Sequence, residues 1–389
     1  MTTALALYAH GIPVTILEAE PEDRERPGSR AIYVHGATLH TLEHVHPGLG
    51  HTLADAGLVW PTRRTLWRGK EVFSRTYSNP GGSGDLPHFT SLPQVWTEDF
   101  MQEALEAAGI DIHWDSAVET VDASTDSVTV ETANGDTYET PYLVGADGAG
   151  STVRKQISAT FEGEESPNSF IIADVDEHPD DPRDPERVFH YDDPAVDGRN
   201  VMLVPFEGGW RVDIQCHESD DPDELASDAN MADLVAKTMG ERYRDRVAWV
   251  STYKFLQVTA DTMIDEHRRV LLAGEAGHLF APFGARGMNS GIADADEAAS
   301  AIAAAWNAKY DETAHAEIEK YGLRRKAAAE WNRDAAGQAL EYLQGANPIT
   351  KAKKRTAAAL ADYWEGAGEW LDDAPYGPHG SPPVSVGRY

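Results

Sequence analysis

Residues Arg269–Gly291 read RVLLAGEAGHLFAPFGARGMNSG, and the fold turns on this stretch. Past its arginine the opening run, Arg269–Ala273, is wholly apolar, the mark of a strand buried on both faces in a parallel sheet. Gly274 ends it. A glycine-spaced loop, Pro282–Gly291, then enters a helix whose Ile292, Ala295, Ala299, Ile302 and Trp306 recur at three- and four-residue intervals. A strand passing through such a loop into a helix aims backbone N–H groups at an electron-rich ligand atom. Gly284, Gly287 and Gly291 permit close backbone approach. A tight strand-to-helix turn explains one of these glycines, and three less easily.

A second segment of this kind lies upstream. Tyr142-Leu143-Val144 reads as a strand running into Gly145-Ala146-Asp147-Gly148-Ala149-Gly150-Ser151-Thr152-Val153-Arg154, with Asp147 just past the strand end, where open α/β sheets place ligands. At the N-terminus, Met1–His10 predicts a helix stopped by Gly11, and Val14–Leu17 a buried strand closed by the acid Glu18. Helix, strand and acid form the second half of a Rossmann βαβ unit, in which the acid follows a glycine fingerprint by about 20 residues. Counting back from Glu18 runs off the sequence, and Gly11 stands at the wrong end of the helix. The expectation is therefore a unit lacking its first strand and glycine loop, with Met1 not the natural start and with weakened dinucleotide binding.

Between these blocks, Thr97 caps an expected helix through Ala108, and Asn134-Gly135 turns a hairpin after Val128 and Val130. Phe170–Val175, Val188–Tyr191, Val201–Pro205 and Trp210–Cys216 read as strands parted by loops rich in Asp and Pro. They predict an antiparallel sheet inserted between two halves of a nucleotide-binding domain. Helices are expected over Ala314–Leu343 and Lys351–Leu371, and an extended surface tail over Pro375–Tyr389. The fold class is thus α/β with α+β character. Its expected divisions are 1–165 and 266–310 for the Rossmann-like domain, 166–265 for the inserted sheet, and 311–389 for the helices and tail.

Composition narrows the function. The 65 acidic against 33 basic residues give a formal charge of −32, which repels phosphate backbones and argues against a nucleic-acid partner. A halophilic source accounts for such a surface. No stretch reaches the ~18 apolar residues of a membrane span, so a cytoplasmic protein is expected. The single cysteine, Cys216, precludes an intrachain disulfide and a cysteine metal cluster, and reads as a small buried apolar residue.

Three blocks together resemble the group A FAD-dependent aromatic monooxygenases, the para-hydroxybenzoate hydroxylase-like family. Val14–Glu18 with Ser29-Arg30-Ala31 is similar to its second strand and flavin-side arginine loop. Gly145–Arg154 is similar to its Asp-Gly motif, and Gly274–His278 with Pro282–Gly291 to its Gly-Asp motif and flavin-ring loop. The resemblance implies FAD held by Glu18, Arg30, Gln94, Asp147, Gly148, Arg154, Gly274, Glu275, Pro282, Gly284, Arg286, Gly287, Met288 and Asn289. It further implies that Arg154 assists NADPH or NADH as co-substrate. Glu275 stands where the family carries Asp, which keeps the acceptor but lengthens its reach.

The implied reaction is NAD(P)H-driven hydroxylation of a phenolic or other electron-rich aromatic substrate by O₂ through a C4a-hydroperoxyflavin. The cofactor carries the hard chemistry, so no fixed catalytic group is expected. His190, Tyr191 and His278 are the candidate bases for a phenol. On the strand from Trp210, Asp213 and Gln215 alternate with Val212 and Ile214, and one face is expected to line the substrate cavity. The reading leaves room for a homodimer. Its rivals are an inactive flavoprotein-like chain and another FAD chemistry, a reductase or a halogenase. The halogenase motif Gly-Trp-x-Trp-x-Ile-Pro has only Gly209-Trp210-Arg211-Val212 as its nearest approach.

Overall fold

The computed structural model describes residues 1–26, 28–345 and 347–377. The chain enters on α1 (Thr2–Ala9), turns at Gly11 with φ +72°, and reaches β1 (Ile16–Leu17). Next come β2 (Tyr33–His35), α2 (Gly36–Val45), α3 (Leu49–Ala56), the hairpin β3 (Thr62–Trp67) and β4 (Lys70–Thr76), and β5 (Phe89–Ser91). α4 (Gln94–Ala108) begins ahead of the expected Thr97. Pro93 occupies its cap with φ −57°, and the Gln94 N–H is already held by Ser29 O at 2.9 Å. Thr97 is consequently buried inside the helix.

β6 (Ile112–His113) precedes a meander of β7 (Val118–Ala123), β8 (Val128–Thr132) and β9 (Thr137–Thr140). Its Asn134-Gly135 turn has Gly135 at φ +92°, as the dipeptide predicts. β10 (Leu143–Gly145) and α5 (Thr152–Gln156) lead to β11 (Phe161–Asp176), β12 (Glu186–Asp193), β13 (Arg199–Phe206) and β14 (Gly209–Gln215). α6 (Pro222–Leu225), α7 (Asp228–Met239), β15 (Val247–Ala260), β16 (Val270–Leu272) and β17 (His278–Leu279) follow. Four helices end the described chain: α8 (Arg286–Trp306), α9 (Asp311–Gln344), α10 (Pro348–Leu360) and α11 (Glu365–Asp373).

Two parallel pairs form the nucleotide-binding framework, β1 with β6 and β10 with β16. In the second pair Leu143 lies opposite Val270, so the two glycine-bearing blocks leave neighbouring strands side by side. The apolar run at Arg269–Ala273 does return to a parallel partner. α1 and α8 pack over this framework in a core that includes Leu5, Leu7, Leu271, Leu272, Ile292 and Ile302.

The second body is a sheet of eight strands in the order β17-β15-β11-β14-β13-β12-β3-β4. It is antiparallel except where β12 meets β3, with Val188 opposite Arg64. The expected span 166–265 therefore supplies only part of this sheet, because β3 and β4 enter from a hairpin a hundred residues earlier and β17 from the return segment. Strand alternation separates two faces. Val188, Val201, Leu203, Trp210, Val212 and Ile214 pack on α7, while Phe170, Phe189 and Tyr191 share a core with Phe283, Leu340 and Leu343.

The helix expected over Lys351–Leu371 is broken in two. α11 turns aside and lies on β3 and β4, so closely that a Cβ on Gly368 would stand 2.1 Å from Val72 O. Of the expected extended tail, Ala374–Tyr376 form a 3-10 turn packed on the core, and residues 378–389 lie outside the described residues.

Candidate active site

β16 delivers the first loop. Gly274 leaves the strand at φ +61°, a left-handed conformation in which glycine has no Cβ to strain. Its N–H donates to Asp294 Oδ2 at 2.9 Å, and a Cβ on Gly291 would stand 3.3 Å from Gly274 Cα. Asp294 is fully buried on α8, with its other contacts to His278 Nε2 at 2.6 Å and Arg325 Nε at 2.5 Å. Burial pushes this carboxyl up, but Arg325 and His278 outweigh it and hold Asp294 below the usual carboxylate range.

The loop then tightens: Ala285 N–H donates to Pro282 O at 2.9 Å, and Gly284 and Ala285 take φ +79° and +52°. No side chain caps the N-terminus of α8, so its first-turn N–H groups present the positive end of the helix. A Cβ on Gly287 would meet nothing within 4 Å, whereas one on Gly284 would press Tyr376 O at 2.9 Å. Gly287 thus faces open space for a ligand, and Gly284 makes room for the C-terminal segment.

Asn289 fixes the loop to β2 and α2. Its Oδ1 accepts from His35 N–H at 2.9 Å and Thr38 Oγ1 at 2.6 Å, and its Nδ2 donates to Tyr33 O and Ala285 O at 2.9 and 2.7 Å. Arg286 points toward α9, donating to Asn332 Oδ1 at 3.0 Å and lying 4.8 Å over Trp331. Met288 packs on the core. The side chains of Arg286, Met288 and Asn289 are thus committed to protein partners, and what this loop offers a ligand is the backbone N–H groups at the start of α8 beside Gly287. His35, which sequence reasoning missed, places Nε2 3.1 Å from Gly284 O, and burial lowers its imidazole below the ordinary value.

The Asp-Gly block is built differently. Asp147 accepts from Ser151 Oγ at 2.5 Å and Val153 N–H at 3.0 Å, stiffening the turn into α5, and Gly148 has φ +76°. Arg154 is buried. It donates to Ala276 O and Ala149 O, both at 3.0 Å, with its guanidinium 3.7 Å over Phe161. Arg154 staples one glycine block to the other, which accounts for its donors better than the expected nicotinamide contact. Glu275 is exposed beside Gly274 and takes no hydrogen bond among the described residues.

The arginine loop rests on the broad sheet. Ser29 donates through Oγ to Asp174 Oδ1 at 2.6 Å and through N–H to Oδ2 at 2.5 Å. Arg30, at φ +52°, receives Arg211 Nη1 on its carbonyl at 2.5 Å, and Gln94 Oε1 accepts from Ala31 N–H at 3.2 Å. Arg30 keeps its side chain exposed. Glu18 lies at the end of β1, its carboxylate accepting from Glu20 N–H at 3.0 Å.

The three candidate bases are each committed to protein partners. His190 Nε2 accepts from Gly69 N–H at 2.9 Å and Nδ1 lies 2.9 Å from Asp193. Tyr191 is wholly buried and donates to Leu371 O at 2.8 Å, and burial raises its phenol far above the usual value. His278 belongs to the Asp294 network. A better acid-base group is Asp213 on β14, which shares its face with Arg211 and Gln215. It is 6 % exposed; Oδ1 takes Arg211 Nε at 2.8 Å, while Oδ2 has no partner. Burial raises its carboxyl, partly offset by Arg211.

This geometry fits the flavin end of FAD: glycine-permitted backbone and an uncapped helix N-terminus face a clamped arginine loop, with a ribose-type acid on β1. Comparison with known proteins agrees. The FAD binding domain family matches residues 1–336. The 6-methylpretetramide 4-monooxygenase of Streptomyces rimosus is 29% identical over 305 residues, covering 76% of this chain and 52% of that protein. The para-nitrophenol 4-monooxygenase of Pseudomonas sp. (strain WBC-3) is 27% identical over 374 residues, covering 90% and 86% respectively. The chain thus spans from about half to most of the length of these two relatives. Among solved structures, p-nitrophenol 4-monooxygenase from Pseudomonas putida DLL-E4 superposes with a TM-score of 0.77 at 21% identity, covering 97% of this chain and 95% of that one. With the family matched along most of its sequence, this chain belongs to the FAD binding domain family.

Proposed function

We propose that this chain hydroxylates a phenolic or other electron-rich aromatic substrate, with FAD as cofactor and NADPH or NADH and O₂ as co-substrates. The observation that carries the reading is the meeting of the flavin-ring loop with the broad sheet. Phe283, in that loop, lies edge-on to Phe170 at 5.6 Å and Phe255 at 5.9 Å, so an aromatic core joins the loop to the sheet. Bound FAD supplies acceptance of a hydride and activation of O₂. The chain's own work is to bind, orient and exclude water. The uncapped N-terminus of α8 would stabilise negative charge on a flavin ring held by this loop.

Asp213 is the group placed to accept a phenol proton. Its buried, unpartnered Oδ2 offers an acceptor beside Arg211, and its raised pKa brings the carboxylate nearer to a useful base. The test is substrate-stimulated NAD(P)H oxidation across a panel of phenols, with product analysis. Asp213→Asn should lower kcat about 10²-fold and remove the rise of kcat with pH, while FAD content stays normal. An unchanged pH profile would eliminate Asp213. A purified yellow protein that converts no phenol would overturn the hydroxylase reading.

A further inference from the structure

The far end of the flavin-facing sheet face holds a second feature that the hydroxylation chemistry does not use. There, the ends of β12, β13 and β14 meet the last turn of α9 and the first turns of α10 around a cavity of about 260 Å³. Its wall carries Arg199, Lys351, Lys354 and Arg355 against a single carboxylate, Asp192. In a chain of formal charge −32 this is a local reversal of sign. Arg199 is neutralised by Asp220 at 2.8 Å and Asp197 at 3.2 Å, and Asp192 is shared with Arg68 at 3.8 Å. No ion pair involves Lys351, Lys354 or Arg355 among the described residues.

Lys354 is the decisive residue. It is 5 % exposed, and its ammonium has one protein acceptor, Leu343 O at 3.2 Å. The Tyr191 and Tyr342 rings lie 4.9 and 4.8 Å from Nζ and take cation–π contact. A buried ammonium with three donors and no carboxylate is costly unless something else supplies the charge. Burial accordingly lowers its pKa to about 8. The neighbouring wall adds a neutral donor in the Gln215 amide, held in place by Asn200 Nδ2 donating to Gln215 Oε1 at 2.8 Å, and no acid beyond Asp192.

We propose that this cavity is a binding site for a small oxyanion, a carboxylate or a phosphate, seated on the Lys354 ammonium and steered in by Lys351 and Arg355. The wall supplies fixed positive charge and amide donors but little apolar surface, which suits a compact, strongly hydrated anion. No residue of the flavin-ring loop lines this cavity, although Gln215 in its wall follows Asp213 by two residues on the same face of β14.

The test is calorimetric titration of the full chain, at low chloride, with inorganic phosphate, acetate and benzoate separately. At least one of these anions should bind, and which one does identifies the source. The double variant Lys351→Ala/Arg355→Ala changes only exposed side chains and should weaken binding about tenfold or more, by loss of steering and rim charge. Lys354→Met should abolish it. Melting curves and FAD content of both variants report whether the fold survives. Affinity should also fall between pH 7 and pH 9.5 as Lys354 loses its proton. The other groups facing Nζ are Tyr191, Tyr342, Asp192 and Lys351. No heat from any of the three anions, or equal affinity in the wild type and the double variant, overturns the proposal.

Discussion

Asp294 and Lys354 are both buried charges, and they are compensated in opposite ways. Asp294 is surrounded by Arg325, His278 and the Gly274 N–H, all from its own fold. Lys354 has a carbonyl and two ring faces. The first arrangement uses a charge to hold a loop in place, because a fully paired carboxylate gives the Gly274 turn a fixed acceptor. The second leaves charge over, and leftover buried charge is tolerated where a ligand completes it. The comparison separates a residue that builds the site from one that awaits a partner.

The largest break is at Asp294. Asp294→Ala leaves Arg325 with Glu297 as its one remaining carboxylate and His278 Nε2 buried without its partner, and should cost about 3–5 kcal/mol of stability. Urea unfolding would measure it, and FAD retention should fall in step as the Gly274 turn loosens. A loss below about 1 kcal/mol would mean that the network is incidental. Next is Gly287→Val in the flavin-ring loop. No protein atom lies within 4 Å of the added Cβ, so the fold should lose under about 1 kcal/mol. Flavin affinity should nonetheless drop by about tenfold or more, since the new side chain enters the ligand's space. Retained flavin and normal turnover would sink the loop assignment.

Lys354 carries the opposite sign. Its folded-state pKa lies below the ordinary lysine value of 10.5, so the folded chain releases this proton first. Stability should therefore be lowest below pH 8 and recover as pH rises from about 8 toward 10.5. Lys354→Met should raise stability by about 1–3 kcal/mol at pH 7 and flatten that pH dependence. Finally, self-repulsion at a charge of −32 should yield to salt. The melting temperature should rise by a few degrees from dilute buffer to molar KCl. A flat response would remove the halophile reading and leave the enzyme untouched.

The family and the order of its blocks were legible from local patterns. An apolar run ended by Gly274, the Asn134-Gly135 turn and the strand alternation of Trp210–Cys216 each follow from the chain's own backbone and side-chain periodicity. Glycine positions in the flavin-ring loop were equally readable, but what they make room for, Tyr376 at Gly284 and Gly274 at Gly291, was not. Side-chain partners were not. Ser29 meets Asp174 across 145 residues of sequence, and His35 meets Gly284 across 249. No spacing rule connects such pairs. The same distance hid β3 and β4 from the sheet they extend, since an edge hairpin carries no mark of its eventual neighbour. His190 and Tyr191 looked like bases because they are titratable, but only packing shows that their ring atoms are already spoken for. The sequence determined where glycines free the backbone for close approach, and the tertiary structure decided which charges are neutralised, because that depends on what long-range folding places within hydrogen-bond distance.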